Sequence, residues 1–237
     1  MTRPVIVTRT LPDANETARA LEALGFRPVL SPMLEIVSQP ADLSVLERAT
    51  HIIFTSANGV RALAGVRPPP HLTAWCVGPT TSAAARAAGY VHIREGPGNA
   101  RELAETILAA QGKSAGLFVH VANEDAAGDL VARLNAAGIE AVFAAPYRTL
   151  ACKHLSPEAL AALSDGSQPI LLVHSARAAS AIGASGADLS GAALVAISEA
   201  ALQPLKGRAG LGEWVASEPR EAALLDAVQA AALAVGR

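Results

Sequence analysis

Aromatic side chains make up only 3% of the 237 residues, and there are only two cysteines. The shortage of aromatics leaves the core to Ala, Leu, Val and Ile, because hydrophobic residues still total 51%. It also leaves little with which to sandwich a flavin ring. Cys76 and Cys152 stand far apart and lack metal-ligand spacing, which reads as two free thiols in a reducing compartment. The six histidines are scattered, and none has a second His or Cys at ligand spacing. No apolar run reaches the roughly 18–20 residues needed to cross a bilayer. The opening Met1-Thr2-Arg3-Pro4-Val5 runs into an expected strand without a signal-peptide pattern. Net charge is −2, with no basic stripe and no block of like charge, which argues against nucleic acid, an anionic membrane or a long disordered tail. A cytoplasmic protein is expected. A Gly-rich dinucleotide fingerprint and a P-loop are both missing, since Gly78-Pro79-Thr80-Thr81 has neither the lysine nor the spacing of a phosphate loop.

What the chain does have is a repeated phrase. Ile52-Ile53-Phe54-Thr55-Ser56-Ala57-Asn58-Gly59-Val60 is echoed by Leu171-Leu172-Val173-His174-Ser175-Ala176-Arg177-Ala178-Ala179. Each is an apolar run ending in a small hydroxyl residue and then an Ala-rich stretch, the pattern of a buried strand, a turn and the start of a helix. Cys76-Val77-Gly78-Pro79-Thr80-Thr81 has a weaker partner in Ala196-Ile197-Ser198-Glu199-Ala200-Ala201. The opening Val5-Ile6-Val7-Thr8-Arg9, with its helix to Gly25, is matched by Leu117-Phe118-Val119-His120-Val121 and the helix to Gly138. Two copies of one α/β unit are therefore expected, with a cleft between lobes as the place for a small-molecule site.

Strands are expected at 5–7, 28–30, 51–54, 73–77, 91–93, 117–121, 141–144, 170–174, 193–197 and 213–216. Their alternation with Ala/Leu-rich helices indicates parallel sheets covered on both faces. Asp13, with Glu16 three residues on, approximates a capping box for the first helix. Gly25, Gly89, Gly112 and Gly138 are expected to stop helices. Residues 31–37 and 145–150 fit neither helix nor compact strand; each contains a proline and reads as an extended linker. If both cross between lobes, residues 1–36 plus 149–237 form a discontinuous first domain and 37–148 a second. Paired linkers of this kind indicate a hinge.

The hydroxyl-rich loops are the best candidates for chemistry. Thr55, Ser56, Thr80, Thr81, Ser175 and Ser198 all sit where a strand ends and a helix begins, the edge at which open parallel sheets bind ligands. Helix N-termini there offer unpaired N–H groups that suit carboxylates. Singly, each residue reads as an N-cap; together they point to a site. Arg9 ends the first strand, where it would pair with an anion or with a surface Asp. Asn58 and Asn99 follow the same logic. His174 beside Ser175 reads as structural, because neighbouring strand residues face opposite ways and no Gly-x-Ser-x-Gly elbow surrounds them. Tyr147, one of two tyrosines, reads on its own as a packing residue in a linker.

These features resemble the uroporphyrinogen-III synthase family: Val7-Thr8-Arg9 with its helix to Gly25, Ile53-Phe54-Thr55-Ser56-Ala57-Asn58-Gly59-Val60, Val77-Gly78-Pro79-Thr80-Thr81, Gly98-Asn99-Ala100 followed by Leu103-Ala104, and Pro146-Tyr147-Arg148-Thr149. They occur in the family's order over essentially the whole chain. The resemblance implies two flavodoxin-like parallel-sheet α/β domains joined by two extended linkers, with no metal and no organic cofactor. It implies a lyase that closes linear hydroxymethylbilane to uroporphyrinogen III, losing water and inverting ring D, in tetrapyrrole biosynthesis. It also implies a monomer whose partner is that small-molecule substrate. By the same resemblance Tyr147 lies near the leaving hydroxyl and is catalytic, while Ser56, Thr81 and Ser175 are cleft-facing hydroxyls. The chain departs from the pattern at Ile197-Ser198-Glu199-Ala200, where Glu199 would repel a substrate carboxylate if it faced inward.

Two other readings share these features. A two-lobe protein that senses a small anion would bind without turnover. A flavodoxin-like carrier of flavin or nucleotide would be coloured, and it is weakened by the missing phosphate loop and the scarce aromatics.

Overall fold

The computed structural model describes residues 2–110, 116–126 and 129–236. In chain order the elements are β1 (Pro4–Val7), α1 (Asp13–Ala23), β2 (Arg27–Leu30), β3 (Leu34–Ser38), β4 (His51–Phe54), α2 (Ala57–Arg61), β5 (Thr73–Cys76), α3 (Pro79–Ala87), β6 (His92–Glu95) and α4 (Ala100–Ala110). They continue with β7 (Phe118–Asn123), α5 (Asp129–Ala136), β8 (Ala141–Ala151), α6 (Pro157–Ser164), β9 (Ile170–Val173), α7 (Ala176–Ala184), β10 (Ala193–Ala196), α8 (Glu199–Leu202), β11 (Glu213–Val215) and α9 (Glu221–Val235). The chain divides into two compact units, Met1–Glu35 with Leu150–Arg237, and Ile36–Thr149.

In the first unit the sheet order is β11-β10-β9-β1-β2, and every pairing in it is parallel. Its three central strands, PVIV, ILLV and ALVA, are buried along their whole length. That is the pattern of a parallel sheet covered on both faces. Side chains alternate between the faces with a period of two. Ile6, Leu171, Val173, Leu194 and Ala196 pack against Ala159 and Ala162 of α6 and Ala179 and Ile182 of α7. Val5, Val7, Ile170, Leu172, Ala193 and Val195 pack against Leu21 of α1 and Leu224, Val228 and Ala231 of α9.

The second unit has the order β3-β8-β7-β4-β5-β6. Ile52, Phe54, Ala74, Cys76, Val119 and Val121 face Val60 of α2 and Ala85 of α3. Ile53, Trp75 and Phe118 face Leu103 and Ile107 of α4 and Leu130 and Leu134 of α5. Without the edge strand β3, this sheet repeats the first one, with β8-β7-β4-β5-β6 in place of β2-β1-β9-β10-β11. The equivalence runs β7 to β1 and β4 to β9, so the second copy is a circular permutation that starts at the third strand of the pattern. This is why its repeated phrases occur in a different order along the chain.

Three expectations need correction. Residues 31–37 and 145–150 are not free linkers: β3 and the second half of β8 are hydrogen-bonded strands. The Gln39 N–H donates to the Pro146 carbonyl and the Cys152 N–H to the Met33 carbonyl, each at 2.9 Å. Pro146 has no N–H to offer a ladder, but its carbonyl accepts, so β8 runs through it from 141 to 151 instead of ending at 144. Asp13 is not the N-cap of α1; Pro12 holds that place and makes no side-chain cap bond. Gly25, Gly89 and Gly138 take positive φ after α1, α3 and α5, whereas Gly112 lies outside the described residues.

Gly59 is the glycine with a packing reason. A Cβ added there would stand 2.5 Å from the Val121 carbonyl oxygen of β7 and 3.3 Å from the Phe54 ring. Backbone cannot yield as a flexible side chain does, so α2 lies directly on β7 only because this residue has no side chain. Gly59→Ala is expected to cost about 1–3 kcal/mol, typical of overpacking. Urea denaturation should show a lower midpoint with an unchanged m-value, and an unmoved midpoint would contradict the close approach.

Candidate active site

Four strand ends carry the hydroxyl-rich loops. Ser56, Ser175 and Ser198 share one backbone conformation, φ −160° with ψ of 149°, 152° and 162°. Each ends a strand in extended geometry and turns the chain into a helix. Each side-chain oxygen accepts a backbone N–H of the first turn: Asn58 at 3.2 Å, Ala178 at 3.1 Å and Ala201 at 3.2 Å. All three are thus N-caps. A serine that accepts at its oxygen still has an O–H to donate, so the capping role leaves the binding role open. Gly78 takes the equivalent place before α3, with Pro79 at the first helical position and no side-chain cap. Thr80 behind it is exposed and Thr81 is buried at 4% exposure. Asn99 precedes α4, and its side-chain oxygen accepts the Glu102 N–H at 2.9 Å. Asn58 accepts from Arg61 at 2.8 Å.

In the second unit these loops follow β4, β5 and β6, which are adjacent in the sheet, so residues 55–58, 80–81 and 99 line up along one edge. Tyr147 reaches the same edge from β8. It is the cross-strand partner of Asn123, at the point where β7 is irregular between Val121 and Asn123. Irregularities of this kind re-aim side chains. Burial pushes the Tyr147 phenol above its ordinary range, and hydrogen bonds from the Asn123 backbone and the Ser56 hydroxyl pull back against it. Asn123 is tied in turn to Thr149, its side-chain amide donating to the threonine oxygen at 3.1 Å. Thr55 lies 3.0 Å from Nε2 of His120. Burial drives His120 down to about 4, so its ring is neutral at physiological pH.

The first unit carries a charged cluster instead. Arg9 donates to Glu221 at 3.0 Å, and to Asp13 and Thr17 at 3.3 Å each. The Thr17 hydroxyl donates to the other Glu221 oxygen at 2.5 Å. His174 Nε2 stands 3.3 Å from Glu221, so its ion-pair partner is Glu221 and not Ser175. Burial raises the Glu221 carboxyl, but hydrogen bonds from His174 and Thr17 and the charges of His174 and Arg9 outweigh it and hold it at about 2. Of the two partners expected for Arg9, an anion or a surface Asp, the structure shows carboxylates of the protein, Asp13 and Glu221. Ser175 and Ser198 share this unit's edge, and Glu199 is exposed in the first turn of α8.

Asn123, His120, Thr149 and Glu221 were not foreseen. Only His120 carried a signal, as a polar residue inside an apolar strand. Cys76 is buried, and burial pushes its thiol up to about 11, which makes it unreactive. Among the described residues no cluster of three or more His, Cys, Asp or Glu side chains could hold a metal, and no helix is long and apolar enough to cross a membrane. A cavity of about 640 Å³ opens between α4 and α5, lined by Ala100, Arg101, Leu130 and Arg133 among others, and none of the candidate residues lines it.

Two parallel α/β units of one pattern, the second permuted, define a duplicated class of flavodoxin-like protein with hydroxyl-rich strand edges. The fold is similar to solved structures of that class. The uroporphyrinogen-III synthetase of Helicobacter pylori superposes with a TM-score of 0.66 at 17% identity, covering 97% of this chain and 99% of its own. A mutant uroporphyrinogen III synthase of Thermus thermophilus gives 0.53 at 17% identity, covering 98% and 99%. No curated protein sequence matches the chain closely. The family model for uroporphyrinogen-III synthase HemD matches residues 15–226, and the chain belongs to that family. As a member it is a lyase of porphyrin biosynthesis that cyclises hydroxymethylbilane.

Two strongly shifted groups, buried His120 and half-buried Glu221, contribute to the acid stability. His120 has an ordinary value of 6.5 and about 4 in the fold. Between those values the unfolded chain takes a proton that the folded chain refuses, so stability falls as pH drops from 6.5 to 4, by about 1.4 kcal/mol per pH unit at most. Glu221 goes from 4.5 to about 2. Its contribution is complete above 4.5 and is lost as pH falls towards 2. Denaturation midpoints followed from pH 7 to 3 should decline in both windows. His120→Leu should flatten the upper window and Glu221→Gln the lower; a constant midpoint between pH 6.5 and 4.5 would contradict the His120 assignment.

Proposed function

We propose that Tyr147 donates its phenolic proton to the departing hydroxyl of hydroxymethylbilane, and that hydroxyls and helix N-termini at the strand edges hold the substrate in the fold that inverts ring D. The observation that carries this reading is the setting of Tyr147. It is buried beside the Asn123 backbone and the Ser56 hydroxyl, and burial keeps it protonated. A phenol so placed is a donor and not a base, which is what loss of a hydroxide requires.

The substrate bears an acetate and a propionate on each pyrrole, so it is strongly anionic. A chain of net charge −2 gives no global attraction, and Arg9 is committed to Asp13 and Glu221. Recognition therefore falls on neutral donors. The N–H groups opening α3, α4 and α7 carry the partial positive charge of helix N-termini, and Ser56, Thr55, Thr81 and Ser175 stand beside such turns. Once the hydroxide leaves as water, an azafulvene cation remains, and ring D must attack through its substituted carbon. Orientation supplies that selectivity, so no acid–base triad is called for. Nothing in the comparisons favours a binding protein without turnover.

The purified protein, with no metal or cofactor added, should convert hydroxymethylbilane to the type III isomer, where spontaneous closure yields type I. A product mixture equal to the enzyme-free control would overturn the reading. Tyr147→Phe should slow turnover by roughly 10²-fold, the lower end for general-acid assistance, while the product stays type III. Thr81→Ala and Ser175→Ala should each cost less, because each removes one of several donors. Turnover of Tyr147→Phe at the wild-type rate would return Tyr147 to a packing role.

A further inference from the structure

His120 is 2% exposed, in the middle of β7. Its ring packs edge-on against Phe143, with centroids 5.3 Å apart at 67°. Nε2 meets the Thr55 hydroxyl at 3.0 Å, and Nδ1 is buried with no hydrogen-bond partner among the described residues. A neutral imidazole carries one proton, so the ring has two possible arrangements. With the proton on Nδ1, an N–H donor would be buried unmet, and Thr55 would spend its own O–H on Nε2. With the proton on Nε2, the ring donates to the Thr55 oxygen and only a lone pair is left unmet. Buried N–H groups without a partner are the rarer defect in proteins, and the free side chain already favours the Nε2–H form.

We infer that His120 is a positioning residue, which donates from Nε2 to the Thr55 oxygen and so turns the Thr55 O–H outward as a fixed donor to a substrate carboxylate. The inference rests on the proposed function, since Thr55 is read there as a substrate-facing group. Thr55 suits the role: it is half-buried, has no other partner among the described residues, and directly precedes Ser56, which bonds Tyr147. A threonine hydroxyl left to rotate would serve equally as acceptor or donor, and an acceptor turned to a carboxylate repels it. The histidine removes that ambiguity without adding a charge. In the first unit the equivalent position to Thr55 is His174, which faces Glu221, so this polarised threonine belongs to the second unit alone.

Long-range nitrogen–proton NMR of the labelled protein near pH 7 reads the tautomer directly and needs no substrate. The expected result is a protonated Nε2; a protonated Nδ1 turned to the Phe143 ring overturns the inference. Kinetics with hydroxymethylbilane give the second reading. His120→Leu should raise KM about tenfold, the weight of one such bond, with kcat within about twofold. His120→Gln, whose amide nitrogen falls near Nε2, should restore most of the loss. Thr55→Val should match His120→Leu, and the double variant should be no worse than Thr55→Val alone. An unmoved KM, a fall confined to kcat, or independent multiplication of the two effects would overturn the inference while wild-type turnover stands. Absence of type III product from the wild-type protein would instead overturn the parent reading and this inference with it.

Discussion

Three of the functional loops depend on one local arrangement: a serine in extended conformation at the end of a buried strand, whose oxygen closes the first turn of the next helix. Ser56, Ser175 and Ser198 adopt it within a few degrees of one another. The cap satisfies a helix N–H that would otherwise be unmet, and it occupies one of the oxygen's two lone pairs while leaving its proton. A capping hydroxyl can therefore still donate. A parallel sheet repeats the device at one edge, since every strand enters its helix on the same side. A polyanionic substrate calls for an edge of that kind.

The two units use their edges differently. The second brings neutral polar groups together: Ser56 and the Asn123 backbone beside the Tyr147 phenol, and His120 against Thr55. The first closes its edge with an internal charge network, in which Glu221 is shared among Arg9, Thr17 and His174. That network joins the start of α9 to the loop after β1 and the end of β9, three segments far apart in sequence. The duplication thus preserved topology while the side chains at equivalent points diverged, as Thr55 and His174 show.

The fold class was legible because strand phrases such as IIFTSANGV and LLVHSARAA carry both the buried strand and the helix start in nine residues. The permutation was not, since only strand pairing shows β7 standing where β1 stands in the other unit. The segment around Pro146 was read as a linker because a proline offers no N–H to a ladder, whereas its pairing with Gln39 uses only its carbonyl. The Asp13 partner of Arg9 was within reach of its sequence reading, but Glu221 was not: it lies 212 positions away, and no local pattern announces such a partner. Asn123 depended on an irregularity in β7 that leaves no mark in its sequence. His120 was passed over because histidines were weighed as metal ligands and nucleophile partners, and a buried neutral ring that orients a threonine fits neither.

The central claim is that Ser56 and Tyr147 act as one unit, the serine directing the phenol towards the leaving hydroxyl. Coupling between them is measured most directly by a double-mutant cycle on kcat for type III formation, using Ser56→Ala, Tyr147→Phe and the double variant, with rates taken per folded molecule. The account predicts that once Tyr147 has lost its hydroxyl, removing the serine adds little further slowing. Rate losses that multiply independently would show that the two side chains act separately and would contradict it.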